Sequence, residues 1–174
     1  MVSSFSFQTL LKGKNMDSKS YVQKLRLSNT SKLKAEKISS FSIPAYKTIS
    51  GIITCIGALF CIALCYARQG TYTWSSVKAL RESNYFLSLE SNFVASMKSL
   101  LQSYKNDILR LHDSGDFYST EYYAKWCEIC SSFPMKTFYA YTKSLSIIDI
   151  ELKPKNLVLI QSYGGKFDNL INLK

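Results

Sequence analysis

Three short apolar segments, each followed at once by polar or glycine residues, constrain the fold most strongly. They are 108–111 (ILRL), 137–141 (TFYAY) and 157–160 (LVLI). Between the first two, Ser119 or Thr120 can cap a helix that continues to Phe133 and ends at Pro134. Apolar strands that alternate with helices are typical of parallel βα units. The sequence therefore predicts an α/β fold, either an open parallel sheet with flanking helices or a partial βα-barrel-like arrangement.

The chain divides into a basic N-terminal part and an α/β domain. Residues 1–40 show no sustained helical period and are predicted to form a loosely ordered lead, whereas 41–174 should form the domain. The segment 41–47 (FSIPAYK) contains Pro44, which suits an edge strand or a turn at the start of that domain. The formal charge of +10 is concentrated toward the lead. A basic segment of this kind makes nucleic acid or anionic lipid a possible partner.

The uncharged stretch 48–67 supports a competing interpretation. Its hydropathy and length suit a helix that crosses a membrane once, and the basic residues before it would place the N-terminus in the cytoplasm. The alternative to a cytoplasmic protein is therefore a small single-pass membrane protein.

Helical spacing predicts one further element before the strand at 108–111. A helix should begin near Val77 after a cap at Ser75 or Ser76, and an apolar stripe then continues at intervals of three and four residues. The stripe consists of Phe86, Leu89, Phe93, Met97, Leu100 and Tyr104. These side chains are expected to lie in the core.

The loop after 108–111 holds the first group of candidate catalytic residues. His112 stands beside Asp113, with Asp116 three residues further on, and this grouping can supply a general base, a metal ligand or an imidazole–carboxylate pair. Ser114 and Gly115 between them are candidate ligand-binding residues. Equally, the loop has the composition of an ordinary turn, and its carboxylates can cap the following helix.

Two more loops should face the same crevice, because ligands of parallel folds bind outside the carboxyl ends of the strands. Lys143 follows the aromatic strand and can bind phosphate or carboxylate, act as a nucleophile, or simply face solvent. Ser162, Gly164 and Gly165 follow the last strand. The glycine pair allows a ligand close to the backbone or merely makes a turn.

Five cysteines without a secretory start indicate a reducing compartment and a cytoplasmic location. Three of them, Cys55, Cys61 and Cys65, lie within eleven residues and can supply most of a zinc or iron–sulfur site. Cysteine is also often a small buried apolar residue. That second role is expected for Cys127 and Cys130, which lie inside a predicted helix.

The order of several short blocks resembles the gene product 88 family of phages and plasmids. The blocks are 41–45 (FSIPA), 65–74 (CYARQGTYTW), 109–117 (LRLHDSGDF), Trp126, 138–145 (FYAYTKSL) and 162–171 (SYGGKFDNLI). The resemblance implies a cysteine block in a soluble setting ahead of a partial βα barrel. It also implies a chain that stops short of its longer relatives.

Three hypotheses follow. The first is a metal or iron–sulfur protein of mobile-element origin, with its site at the carboxyl ends of the strands. The second is the single-pass membrane protein, and the third is a nucleic-acid-binding accessory protein that uses the basic lead and the many tyrosines. Whether the chain is an enzyme is left open by the sequence.

Overall fold

Four parallel strands form one sheet in the computed structural model, which describes residues 24–28, 33 and 35–172. The strands are β1 (Ile38–Phe41), β2 (Ile108–Leu111), β3 (Thr137–Thr142) and β4 (Leu157–Gln161), and they are neighbours in that order. The predicted α/β fold is confirmed. The sequence boundary predicted between 40 and 41 falls inside β1, and most of the predicted lead lies outside the described residues.

Three α-helices occupy the described connections between strands. They are α1 (Ser75–Leu89), α2 (Phe93–Gln102) and α3 (Thr120–Ser131). The predicted cap of α3 is confirmed, because Oγ of Ser119 accepts a hydrogen bond of 3.1 Å from the backbone N–H of Tyr122. Glu121 lies in the first turn of α3, where a negative charge favours the helix dipole.

The apolar stripe predicted between residues 86 and 104 is not one continuous helical face. The backbone is extended at Glu90, so α1 ends at Leu89 and a separate helix begins at Phe93. Phe93 and Met97 are fully buried, whereas Leu89 is 49% exposed. The break gives α2 its own direction over the core, and it leaves Leu89 outside the core.

One face of the sheet forms the core and is called the covered face. Leu109, Phe138 and Leu157 lie side by side across three strands and are buried. Helices α2 and α3 pack together over the core, with the ring of Trp126 5.8 Å from that of Phe93. Such aromatic contacts bury large areas and add a stabilising edge-to-face term.

The opposite face, called the open face, is only partly shielded. It carries Ile108, Arg110, Thr137, Tyr139, Tyr141, Val158 and Ile160. Tyr141 and Val158 are 47% and 48% exposed. The apolar strands predicted from the sequence are therefore buried on one face of the described sheet and partly exposed on the other. The open face is unusual, because parallel sheets are normally covered on both faces.

The stretch 48–67 forms loops and short 3-10 helices, Phe60–Ile62 and Tyr66–Arg68, in place of the long helix of the membrane alternative. Within residues 24–28, 33 and 35–172, no helix combines the length and apolar character needed to cross a bilayer. The stretch instead reaches the carboxyl ends of the strands, where Ala58 forms an isolated antiparallel bridge with Gly165.

Candidate functional site

The carboxyl ends of the four strands meet in a set of interlocked loops, called here the carboxyl edge. After β1 and β2, Oγ of Ser114 donates to the carbonyl of Ile43 over 2.6 Å, and the N–H of Ile43 donates to the carbonyl of Ser114 over 3.1 Å. Gly115 has a φ of +84°, and a β-carbon there would lie 2.3 Å from the Ile43 side chain. The predicted ligand-binding residues Ser114 and Gly115 thus hold two loops together.

Asp116 joins the loop after β2 to the end of β3. Its carboxylate accepts hydrogen bonds from the N–H of Phe117, the hydroxyl of Thr142 and the N–H of Lys143, at 2.8, 2.8 and 2.9 Å. Burial raises the pKa of this carboxyl group, and these three donors oppose the increase. A carboxylate with three internal donors has little capacity left for a substrate, so the geometry favours a role in holding the edge.

His112 points into the core rather than into the crevice. It is 3% exposed, its Nε2 lies 2.9 Å from the hydroxyl of Tyr122, and its ring meets that of Phe117 edge-on at 4.7 Å. Burial, assisted by the charge of Arg110, lowers the pKa of His112 to about 3. The imidazole is therefore neutral near pH 7 and separated from Asp113, its predicted partner.

Lys143 is fixed from two sides at the end of β3. Its Nζ donates to the carbonyl of Tyr163 over 2.5 Å, and its own carbonyl lies against Gly57. A β-carbon at Gly57 would lie 1.9 Å from that carbonyl oxygen, so only glycine fits there. The predicted catalytic lysine thus lies at the edge, with its amine bound to the loop that follows β4.

The glycine pair after β4 binds a carboxylate of the same chain. The N–H groups of Gly164 and Gly165 donate to the two carboxylate oxygens of Asp168, each over 2.9 Å. The half-buried Ser162 donates its backbone N–H to the carbonyl of Thr142. These predicted ligand-binding residues use their backbone donors internally in this conformation.

The three predicted metal ligands lie in the loops over the carboxyl edge. Cys55 accepts a hydrogen bond from the N–H of Tyr46, and burial, together with the charge of Asp116, raises its pKa to about 12. The charge of Cys65 makes a smaller contribution to that increase. Among the described residues, no group of three or more His, Cys, Asp or Glu side chains is arranged to hold a metal ion. Cys61 is thus not brought into a ligand set with the other two.

A second polar cluster surrounds Asp113 and is called the arginine–tyrosine cluster. It consists of Asp113, Arg81 from α1, Arg110 from β2, Tyr66 from the 3-10 helix Tyr66–Arg68, and Tyr72 from the 3-10 helix Gly70–Thr73. The Asp113 carboxylate lies 3.4 Å from Arg110 and 3.9 Å from Arg81, and accepts a 2.8 Å hydrogen bond from the hydroxyl of Tyr72.

The tyrosines of this cluster position the arginines. Tyr66 donates its hydroxyl to the carbonyl of Asp113 over 2.6 Å and accepts a 3.1 Å hydrogen bond from Arg110. The guanidinium of Arg81 lies 4.4 Å from the ring centre of Tyr72, a favourable cation–π arrangement. Burial raises the pKa of both phenols, so they remain neutral donors near pH 7.

Charge in the cluster is not balanced. Two guanidinium groups share the single carboxylate of Asp113, and Nε of both Arg81 and Arg110 has no hydrogen-bond partner in the described structure. Burial lowers the pKa of Arg81, and Asp113 opposes that effect. Burial acts the same way on Arg110, but neighbouring Tyr66 and Asp113 outweigh it and raise its pKa. Both side chains remain cations, because guanidinium groups do not lose their proton in proteins.

Asp113 was predicted from the sequence, but its four partners were not. Tyr66 and Tyr72 lie in the block 65–74 and Arg81 lies outside every block, and no local pattern links any of the three to Asp113, so only the fold brings them together. Arg110 was detectable, because Leu109-Arg110-Leu111 alternates apolar and polar residues as a strand with one shielded face does.

The fold and this edge define an α/β protein with a polar, positively charged cluster at the carboxyl end of a parallel sheet. The family model described as Gene product 88 matches residues 9–173, so the chain belongs to the gene product 88 family, a phage-type family. The resemblance inferred from the short blocks is thereby confirmed. Comparison with curated proteins gives no significant match, and comparison with solved structures gives none either.

Proposed function

We propose that the chain binds an anionic ligand at the arginine–tyrosine cluster, with Arg110 and Arg81 as the anion-binding residues. One observation carries the proposal: two largely buried guanidinium groups share one carboxylate, and each has an Nε without a partner. One carboxylate offsets only one of the two positive charges, and a largely buried charge without a counter-charge is costly. An anion bound at the exposed part of Arg110 would offset the second charge.

The geometry suits an oxyanion in particular. Guanidinium groups present planar sets of donors that match carboxylate or phosphate oxygens in a bidentate manner. Asp113, 6% exposed, fixes both groups from within, while Arg110 keeps 21% of its side chain exposed toward the open face. Asp113 is accordingly a positioning residue, and Arg110 is the accessible contact.

Inorganic pyrophosphate is a suitable probe. A ligand that binds only the folded chain raises its melting temperature. We expect pyrophosphate at low ionic strength to raise the melting temperature of the full chain. Arg110→Gln should abolish this rise, whereas Lys98→Gln should preserve it. Lys98 is a matched control, because it loses the same charge but pairs with Glu128 of α3, on the helices over the core.

The proposal fails if pyrophosphate does not stabilise the parent chain, or if Arg110→Gln responds as the parent does. A circular dichroism spectrum of Arg110→Gln that matches the parent ensures that a lost response reflects lost binding. Arg110→Lys supplies a finer comparison. It retains the charge but loses the planar donor set, and is expected to restore only part of the response.

Metal binding is a second candidate function, because Cys55, Cys61 and Cys65 are all free thiols in the loops over the carboxyl edge. A thiophilic metal ion would have to draw the three sulfurs together and displace the proton of the Cys55 thiol. The test is the zinc and iron content of anaerobically purified chain beside a variant with all three changed to serine. Near-stoichiometric metal lost in that variant supports the site, and equal, low metal in both rejects it.

A further inference from the structure

We propose that the ligand of this site is single-stranded nucleic acid, with its bases stacked on the open face and a phosphate at Arg110. This inference rests on the proposed anion-binding function and adds to it the class of ligand. A nucleotide unit combines an oxyanion with a flat ring, and the surface around Arg110 offers a complement to each.

Aromatic rings surround Arg110 on the open face. Its guanidinium lies 5.5 Å from the ring centre of Tyr141, and Tyr139 is its neighbour across the strands. The two tyrosine rings are 6.3 Å apart and nearly perpendicular. Tyr66, which binds Arg110 directly, is 55% exposed. Base stacking on such side chains tolerates any sequence, because every base has a π-face.

The remainder of the open face extends this surface beyond a single base. Val158 lies beside Tyr139 in the next strand, and Ile160 lies beside Tyr141. Val158 is 48% exposed, and Ile108, which precedes Arg110 on the same face, is 36% exposed. A sheet face with exposed apolar and aromatic side chains and a central arginine is a platform for unpaired bases. A duplex would present only its phosphates and base edges to such a platform.

The net charge of the chain favours a polyanion as the occupant. The chain has 22 basic and 12 acidic side chains, a formal net charge of +10, most of which comes from residues 1–47. Two carboxylates lie near this surface. Asp113 is paired with the two arginines, and Glu36 is near enough to Tyr139 to raise its pKa. The long-range field of the protein therefore attracts nucleic acid, and repels a second copy of this equally basic chain.

Fluorescence anisotropy with a labelled thymidine oligonucleotide tests the proposal. About 15 nucleotides cover the range of site sizes found for stacking platforms. The second probe is an abasic oligonucleotide of the same length, which keeps the phosphates and lacks the bases. We expect the parent chain to bind the thymidine strand about tenfold more tightly than the abasic strand. Affinity for both should fall as salt is raised.

Two variants locate the stacking surface. Tyr141→Leu should weaken thymidine binding about tenfold and leave abasic binding nearly unchanged. Tyr104→Leu is the matched control, because Tyr104 follows α2 and precedes β2, at the amino end of the strands. Both variants retain residues 1–40, so a difference between them does not come from the basic lead.

The outcomes separate this inference from the function on which it rests. Equal affinity for the two strands, or equal behaviour of Tyr141→Leu and Tyr104→Leu, overturns stacking on the open face. If pyrophosphate still raised the melting temperature through Arg110, the proposed anion-binding function would stand, and its ligand would be an anion without bases. Loss of that response as well would overturn both proposals. Tighter binding of a duplex than of the single strand would indicate contacts to phosphates alone, and it would also overturn stacking on the open face.

Discussion

The covered face and the open face of the sheet are made by the same four strands and differ in what lies over them. On β4, Leu157 is fully buried and its neighbour Val158 is 48% exposed. On β2, Leu109 and Leu111 are buried on either side of Arg110. The covered face thus supplies stability, whereas the open face places a cation and aromatic rings where solvent reaches them. Within the described part of the chain, this arrangement leaves Tyr141 and part of Arg110 accessible.

The largest difference in stability loss between a buried and an exposed position is expected for the two tryptophans. Trp126 is fully buried against Phe41 and Phe93, whereas Trp74 is 61% exposed. Trp126→Ala should lower the free energy of unfolding by about 3–5 kcal/mol, because it removes a large ring from the core and leaves a cavity. Trp74→Ala should change it by no more than about 0.5 kcal/mol. Chemical denaturation measures both, and equal losses would contradict the assignment of the core.

The next largest loss of stability is expected for a substitution at the carboxyl edge. Gly57→Ala places a β-carbon 1.9 Å from the carbonyl oxygen of Lys143, so the loop must move and about 2–3 kcal/mol of stability should be lost. Gly70→Ala is the control for backbone strain alone. Its φ is +54° but the space around it is open, so a loss of about 1 kcal/mol is expected. Equal losses would show that the loop bearing Gly57 does not pack on Lys143.

The sequence predicted more of the fold than of the site, for a physical reason. The strand at 108–111 and the helix capped by Ser119 are local patterns, set by residues close in the chain. The contacts of Asp113 with Arg81 and Tyr72 span 32 and 41 residues, so no local pattern encodes them. His112 shows the converse, because a histidine beside an aspartate suggests a catalytic pair, whereas the fold turns its ring into the core.

The pH dependence of the free energy of unfolding tests the burial of His112 in the core. Its pKa is lowered from 6.5 to about 3 in the folded chain, so below pH 6.5 the unfolded chain binds a proton that the folded chain does not. This contribution to stability is complete above pH 6.5 and is lost progressively as the pH falls toward 3. Between pH 8 and pH 5 the loss should be about 2 kcal/mol.

His112→Asn isolates that contribution. His112 has a φ of +63°, a conformation that asparagine tolerates better than most residues. The variant should be less stable at pH 8, but its stability should fall less steeply with pH than that of the parent. Asp116 and Glu82, whose pKa values are raised by burial, titrate in both chains and cancel in the comparison. Parallel pH profiles would mean that the imidazole reaches solvent.

The smallest loss of stability is expected for a substitution on the open face, and it tests whether another molecule covers that face. Val158→Thr keeps the branched shape that suits a strand and should change the free energy of unfolding by no more than about 0.5 kcal/mol. Leu157→Thr, one residue earlier, should cost about 3 kcal/mol, because it removes buried carbon and adds a hydroxyl to the core. A large loss in Val158→Thr that grows with protein concentration would show that another copy covers the open face. Stacked bases would then have to compete with that contact, and Tyr141 would be needed for assembly as well as for binding.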